Sequence, residues 1–178
     1  GCDRVAASAE LGRPAPDFSL KALDGTTHTL AQYRGETVVL EWFNPGCPFI
    51  RDTHRAGGAL DGAAAARAAD GVVWLAINSG AAGKEGADPA DNVAAAAAWS
   101  LAHPILLDPD GAVGHRYGAV STPHLFVIDP TGVLVYRGAI DNRPLGKGDG
   151  LRVDYVARAL DDVKAGRKVA TPETKPYG

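Results

Sequence analysis

Two patterns of hydrophobic positions alternate along the chain. The runs Thr37–Phe43 and Gly71–Asn78 are almost continuously apolar and rich in β-branched and aromatic residues, which is typical of strands buried on both faces of a sheet. Leu151–Lys164 instead places Val and Leu at helical intervals between Arg and Asp, and this spacing predicts an amphipathic helix. The pattern therefore predicts a protein in which strands and helices alternate.

Turn and cap residues delimit the other predicted elements. Asp24-Gly25 predicts a turn in an N-terminal β-hairpin. Pro48 predicts the start of a helix that continues to about residue 69, because proline at the first helical turn loses no intrahelical hydrogen bond. The remaining predictions are a helix over 92–101, a strand over 104–107, a short helix over 112–117, and strands over 125–128 and 133–140. This order predicts an α/β fold with a mixed, parallel-rich central sheet, flanked by helices and closed by an antiparallel hairpin at one edge.

Composition narrows the possible functions. The chain has 178 residues, of which 46% are hydrophobic and 22% charged, so we expect one globular domain. We assign that domain to residues 14–168, between an N-terminal arm or lipoprotein linker (1–13) and a C-terminal tail (169–178). The net charge of −3 argues against a nucleic-acid partner. No apolar run has the roughly 18 residues needed to span a membrane.

The start of the sequence indicates export. Gly1-Cys2-Asp3 resembles the cleavage site of a bacterial lipoprotein, and the sequence contains no Met. We therefore expect Cys2 to carry a lipid, the protein to be periplasmic or membrane-anchored, and membrane contact to occur through Cys2 alone. The alternatives are an unmodified surface thiol at Cys2 and a cytoplasmic protein.

Cys47 lies where a buried strand is predicted to end and a helix to begin. At such a junction the backbone N–H groups and the helix dipole favour the thiolate. Arg51, four residues further on, would lie on the same helix face and add positive charge. We therefore predict that the Cys47 thiol has a pKa below its ordinary value and is reactive. The alternative is a buried structural cysteine.

A set of motifs around and after Cys47 resembles a known family. The segments are Phe43–Phe49 (FNPGCPF), Gly71–Ser79, Tyr117–Ala119, Thr122–His124, Val127–Pro130 and Tyr136–Asp141. Together they resemble the peroxiredoxin-like redoxin (AhpC/TSA) family of the thioredoxin-like superfamily, over about residues 12–178. The resemblance implies a thioredoxin-like fold, a redox-active cysteine at position 47, and a cis-proline at Thr122-Pro123 that faces it.

The resemblance also implies roles for individual residues. Glu41 matches the buried acid that exchanges protons with active thiols. We expect burial to raise the pKa of its carboxyl group so that it gives and takes a proton, although an ordinary pairing with Lys or Arg is the alternative. The residues implied in substrate binding are Pro48, Phe49, Thr122, Pro123 and His124.

Three features of the sequence depart from the family pattern. Ile50 stands where thioredoxins have a second cysteine, so the usual resolution of a mixed disulfide cannot occur within this motif. Asn44 and Leu40 stand where typical peroxiredoxins have Thr or Ser and Pro. Similar proteins tend to end in a Thr-Lys-Pro-Tyr-Gly-Cys tail, and here Thr174–Gly178 provides the first five of those residues.

These features predict a thiol-disulfide oxidoreductase or a thiol-dependent antioxidant that uses a single active-site cysteine. Its partners would be a protein or small-molecule thiol, disulfide or peroxide and an external thiol reductant, with no cofactor, metal or nucleic acid. A non-catalytic peptide-binding module is the alternative. A copper-handling protein is a weaker alternative, because the two-cysteine copper motif is missing. His54 lies about 10 Å along the helix from Cys47, too far for a direct bond.

Overall fold

The computed structural model describes residues 8–178. Cys2, and with it the prediction of a lipid attachment, lies outside the described residues. The strands are β1 (Ser19–Ala22), β2 (Thr27–Thr29), β3 (Val38–Trp42), β4 (Val73–Asn78), β5 (Ile105–Leu107), β6 (His124–Ile128) and β7 (Leu134–Gly138). The helices are α1 (Pro48–His54), α2 (Ala63–Ala68), α3 (Pro89–Ala98), α4 (Ala112–Tyr117) and α5 (Tyr155–Lys164). None of the described helices is both long and apolar enough to cross a bilayer.

The seven strands form one mixed sheet in the order β2-β1-β5-β4-β3-β6-β7. The prediction of an α/β fold with a mixed sheet flanked by helices is confirmed. The prediction that the sheet is parallel-rich is wrong: among the described strands, only the β3–β4 and β4–β5 pairings are parallel. Antiparallel hairpins close both edges, β1–β2 at one and β6–β7 at the other.

The central strand β3 contributes to the core on both faces of the sheet. Val38, Leu40 and Trp42 pack on one face, together with Tyr117 of α4. Val39 lies on the other face, in a core cluster that also contains residues of α5. All five β3 residues are buried, which explains why the strand is almost continuously apolar in sequence. Glu41, also buried, is the exception in this apolar strand.

The helix predicted over 48–69 is two helices, α1 and α2, joined by an irregular segment. Glycines cause the interruption. Gly57 has a φ of +79°, and a Cβ on Gly58 would lie 2.3 Å from the carbonyl oxygen of Thr53. Both positions therefore need glycine, and α1 cannot continue through them.

Cap residues place the starts of two other helices differently from the prediction: α3 begins earlier and α5 begins later. Asp88 caps α3 by accepting from the Ala90 N–H, so this helix begins at Pro89 rather than at residue 92. Asp154 caps α5 by accepting from the Ala157 N–H, so residues 151–154 precede that helix. In both cases a short acidic side chain satisfies an N–H that has no partner within the helix.

Candidate active site

Cys47 is the N-cap residue of α1, directly after the loop that leaves β3. The loop is fixed by Asn44, whose side-chain oxygen accepts from the Gly46 N–H at 2.8 Å and whose amide donates to the Glu85 carbonyl at 3.0 Å. The Cys47 N–H donates to the Asn44 carbonyl at 3.0 Å. The thiol is unpaired and half-buried. The predicted position of Cys47, at a strand-to-helix junction, is confirmed by this geometry.

Thr122 is the residue that the Cys47 thiol contacts. The Cys47 Sγ–H donates to the Thr122 carbonyl oxygen at 3.3 Å. The peptide bond between Thr122 and Pro123 is cis, and Pro123 is buried. The contact follows from the sheet, because the pairing of His124 with Trp42 brings the segment before β6 beside the end of β3.

His124, at the start of β6, is 5% exposed. Its ring packs on Phe126 with centroids 4.6 Å apart, and its Nδ1 accepts from the Val120 N–H at 3.3 Å. Burial lowers the pKa of His124 to about 4, with the charge of Arg137 acting in the same direction and that of Glu173 opposing it. His124 is therefore a neutral hydrogen-bond acceptor at neutral pH.

Glu41 lies in a buried polar network under α1. It is fully buried, and its carboxylate receives the Trp74 Nε1–H at 3.0 Å and contacts His54 Nε2 at 2.6 Å. Burial alone would raise the pKa of Glu41, but the adjacent His54, the Trp74 hydrogen bond and the charge of His103 hold it below the ordinary value. The prediction of a raised pKa is therefore wrong, because it considered desolvation without these partners.

His54 is the site residue that the sequence analysis missed. It is 3% exposed, stacks on Trp99 at 5.5 Å with an interplanar angle of 16°, and meets Phe43 edge-on at 5.6 Å. The signal that could have predicted the contact with Glu41 is the spacing. His54 lies seven positions after Cys47 and so returns to the same helix face, and that face packs on β3.

The other predicted residues of α1 lie at its solvent-facing start. Pro48 and Arg51 are exposed, and Phe49 is half-buried. The Arg51 N–H donates to the Cys47 carbonyl at 3.1 Å as the first hydrogen bond of α1. The Phe49 ring lies 6.0 Å from the ring of Tyr177, in the C-terminal segment Thr174–Gly178.

The described residues contain no cluster of three or more His, Cys, Asp or Glu side chains able to hold a metal ion. Copper handling stays an untested alternative. The arrangement that is present combines a half-buried thiol at one end of α1, a carbonyl acceptor before a cis-proline, and a buried pair formed by His54 at the other end of α1 and Glu41 of β3. Such a site is suited to sulfur exchange on an extended substrate.

Comparison with known sequences agrees with this chemistry. The profile of the AhpC/TSA family matches residues 11–137. The thiol:disulfide interchange protein DsbE of Yersinia pestis is 32% identical over 142 residues, covering 75% of this chain and 66% of the relative. The thiol-disulfide oxidoreductase ResA of Geobacillus thermodenitrificans is 32% identical over 130 residues, covering 68% and 65% respectively. The chain thus spans 66% and 65% of the lengths of these two curated relatives.

Similar solved structures cover between 73% and 96% of the chain. A hypothetical protein, SMc02350 from Sinorhizobium meliloti, has a TM-score of 0.84 and 30% identity, covering 96% of this chain and 93% of that one. A putative DsbE from Chlorobium tepidum has a TM-score of 0.61 and 25% identity, covering 73% and 85%. The fold is therefore shared with thioredoxin-like proteins over most of its length.

Proposed function

Because the chain belongs to the AhpC/TSA family, we propose that it is a thiol-disulfide oxidoreductase in which Cys47 is the attacking sulfur. The observation that carries the proposal is the position of Cys47 Sγ at the N-terminus of α1, 3.3 Å from the Thr122 carbonyl. Helix N-termini stabilise negative charge, and a thiolate is the nucleophile in disulfide exchange. The names of the curated relatives support the same reaction class.

The reaction begins with attack of the Cys47 thiolate on one sulfur of a substrate disulfide. A sulfur–sulfur bond forms between Cys47 and that atom, the substrate bond breaks, and the other substrate sulfur leaves as a thiolate. An external thiolate then attacks the substrate sulfur of the mixed disulfide, which releases the Cys47 thiolate and leaves a disulfide between the external thiol and the substrate. A second external thiolate cleaves that disulfide, releases the second substrate thiolate and leaves a disulfide between the two external thiols. The two electrons that reduce the substrate therefore come from the external thiols.

An external thiol is needed because Ile50 occupies the position of a second motif cysteine. Ile50 is fully buried against Phe43, Ala76 and other residues of the core beneath α1.

We assign the approach of an extended substrate to the Thr122-Pro123 segment, flanked by Pro48, Phe49 and His124. Proton exchange by Glu41 stays a proposal that now depends on its contact with His54 rather than on a raised pKa. Arg51 is proposed as a nearby positive charge.

The test is a disulfide reductase assay with glutathione as the external thiol. We expect Cys47→Ser to abolish turnover, because the hydroxyl is a poor nucleophile towards sulfur. Cys2→Ser is the matched control and should retain turnover, since it removes the other cysteine of the sequence. Equal turnover in Cys47→Ser and the unmodified protein would exclude the proposal.

Peroxide reduction is the competing activity of the same thiol. In that reaction the thiolate takes an oxygen from the peroxide to form a sulfenic acid, an alcohol leaves, and external thiols return the sulfur to its reduced state. Asn44 and Leu40 replace the residues that typical peroxiredoxins use, which favours disulfide exchange. If turnover with an organic hydroperoxide exceeds turnover with disulfides, peroxide reduction is the main activity instead of disulfide exchange.

A non-catalytic peptide-binding module is the second candidate function, and the observation that favours it is Ile50 in place of a second thiol. Capture experiments with Cys47→Ser separate the two functions. An oxidoreductase that traps partners through sulfur loses them in this variant, whereas a binding module retains them.

We also propose export with lipid attachment at Cys2. The expected result is that the protein fractionates with membranes and that Cys2→Ser moves it to the soluble fraction. An unchanged distribution would contradict the proposal and would leave the Cys47 chemistry unaffected.

A further inference from the structure

The C-terminal segment Pro172–Gly178, here called the strap, lies along the edge strand β7 and leads to the thiol. The Arg137 N–H donates to the Pro172 carbonyl at 3.0 Å, and the Thr174 N–H donates to the Arg137 carbonyl at 3.2 Å. Arg137 also binds the Glu173 carboxylate at 3.2 Å. The strap therefore begins as a short extension of the sheet beside β7.

Thr174 anchors the middle of the strap. The Tyr136 hydroxyl donates its proton to the Ala139 carbonyl at 2.5 Å, so the Thr174 hydroxyl donates to Tyr136 at 2.6 Å and accepts from the Ala139 N–H at 2.9 Å. Gly138, with a φ of +146°, allows this approach. A Cβ at Gly138 would lie 2.2 Å from the Thr174 Oγ1.

Tyr177 anchors the far end of the strap beside α1. Its hydroxyl donates to Asp141, which is 2% exposed and also bound by Arg152 at 2.9 Å. Burial and the Asp141 carboxylate raise the pKa of Tyr177, so the phenol remains a donor. Its ring lies 6.0 Å from that of Phe49, two residues after the reactive cysteine.

The strap reaches the peptide that the thiol itself contacts. A Cβ placed on Gly178 would lie 2.4 Å from the Thr122 carbonyl oxygen and 2.8 Å from the Thr122 backbone nitrogen. The same carbonyl accepts from Cys47 Sγ at 3.3 Å. Gly178 thus lies on the Thr122 backbone, where an extended substrate would have to pair in order to present a disulfide to Cys47.

We propose that the strap determines which disulfides reach Cys47: small disulfides reach it past the strap, whereas polypeptide disulfides must first displace the strap from Thr122. The inference rests on the proposed oxidoreductase function and adds substrate selection to it. Displacement is feasible because the strap is held by two backbone hydrogen bonds to Arg137 and a few side-chain anchors, and because Pro172 and Pro176 have no N–H to donate to a strand ladder. Lys175 and Glu173 of the strap are exposed.

The test releases the anchors and compares substrates of two sizes. In Thr174→Val/Tyr177→Phe the hydroxyl bonds are lost while side-chain size is kept. We expect kcat/KM for insulin, a polypeptide disulfide, to rise about tenfold, equivalent to about 1.4 kcal/mol. The kcat/KM for hydroxyethyl disulfide, the small substrate, should change less than about twofold. Lys175→Ala, at an exposed position of the strap, is the matched control and should change neither. Parallel changes for both substrates, or no change, would overturn the proposal.

A second measurement does not depend on catalysis. Cys47 is alkylated with iodoacetamide and with a polymer-linked maleimide, and the Cys47 peptide is quantified by mass spectrometry. Releasing the strap should increase the rate at which the polymer-linked maleimide alkylates Cys47 and leave the rate with iodoacetamide unchanged. The same result is expected in the double variant and in a chain ending at Pro172. If the ratio of the two alkylation rates does not change when the strap is released, the proposal about the strap is refuted and the proposed function is not. Full turnover in Cys47→Ser together with size-selective alkylation refutes the proposed function alone. Circular dichroism verifies that each variant is folded.

Discussion

His124 makes the stability of the protein depend on pH in a window where carboxylates contribute little. The side chain is buried directly after the Thr122-Pro123 segment, near Arg137 of β7 and Glu173 of the strap. Desolvation opposes protonation of the imidazole, and the guanidinium of Arg137 opposes it further. The pKa therefore falls from an ordinary value of 6.5 to about 4 in the folded protein.

The sign of the effect follows from proton uptake. Between pH 6.5 and pH 4 the unfolded chain binds a proton at His124 and the folded chain does not, so the free energy of unfolding decreases as the pH falls through this window. A shift of this size corresponds to about 2 kcal/mol between pH 7 and pH 5. The side chain of Arg137 is 33% exposed, so solvent screening reduces the expected loss to about 1–2 kcal/mol.

The assay is urea unfolding of the protein and of His124→Asn at pH 7 and pH 5. Asparagine retains an acceptor for the Val120 N–H and does not titrate, so the variant should lose about 1–2 kcal/mol less than the parent over this interval. His115→Asn removes an exposed histidine and should retain the parent's pH dependence. If the parent and His124→Asn lose the same stability between pH 7 and pH 5, the assigned environment of His124 is incorrect.

Three further substitutions test the neighbouring structure. Ile50→Cys should give a dithiol that closes a disulfide with Cys47, seen as the loss of two free thiols on oxidation, at a cost in stability of about 1–2 kcal/mol. Gly138→Ala should detach the strap, measured as faster hydrogen exchange over residues 172–178, whereas Gly166→Ala, also at positive φ but with open space around its Cβ, should not. Glu41→Gln should destabilise the protein by about 1–3 kcal/mol at pH 7. The difference should shrink below about pH 4.5, since the lowered pKa of Glu41 stabilises the folded state only above that range.

The sequence predicted the buried strands well because their signal is local. The run Thr37–Phe43 contains β3, and Gly71–Asn78 contains β4, because burial on both faces leaves little room for polar residues. The break between α1 and α2 was not predicted. Its cause is the approach of Gly58 to carbonyl groups of α1, and such a close contact is not visible in the hydrophobic pattern.

The site was predictable to the extent that motifs specify it. The junction at Cys47 and its closeness to Thr122 follow from a strand-to-helix turn and a strand pairing that the fold class already implies. The Glu41–His54 pair did not follow, because an acid in a buried strand was interpreted by burial alone. The strap was missed for a similar reason: its sequence is polar and proline-rich, and its position depends on contacts with Tyr136, Asp141 and Thr122.

The contacts of α1 explain why a helix of seven residues can hold the thiol in place. Cys47 at its first end is bonded to Thr122, and His54 at its last residue is bonded to Glu41 in the adjacent strand. A short helix gains little stability from its own hydrogen bonds, so its orientation depends on these two attachments and on Ile50 between them, which is fully buried. We therefore expect the buried carboxylate–imidazole pair to hold α1, and with it the Cys47 thiol, in position. Loss of the pair would therefore alter the distance from Cys47 to Thr122 even where the thiol chemistry itself is unchanged.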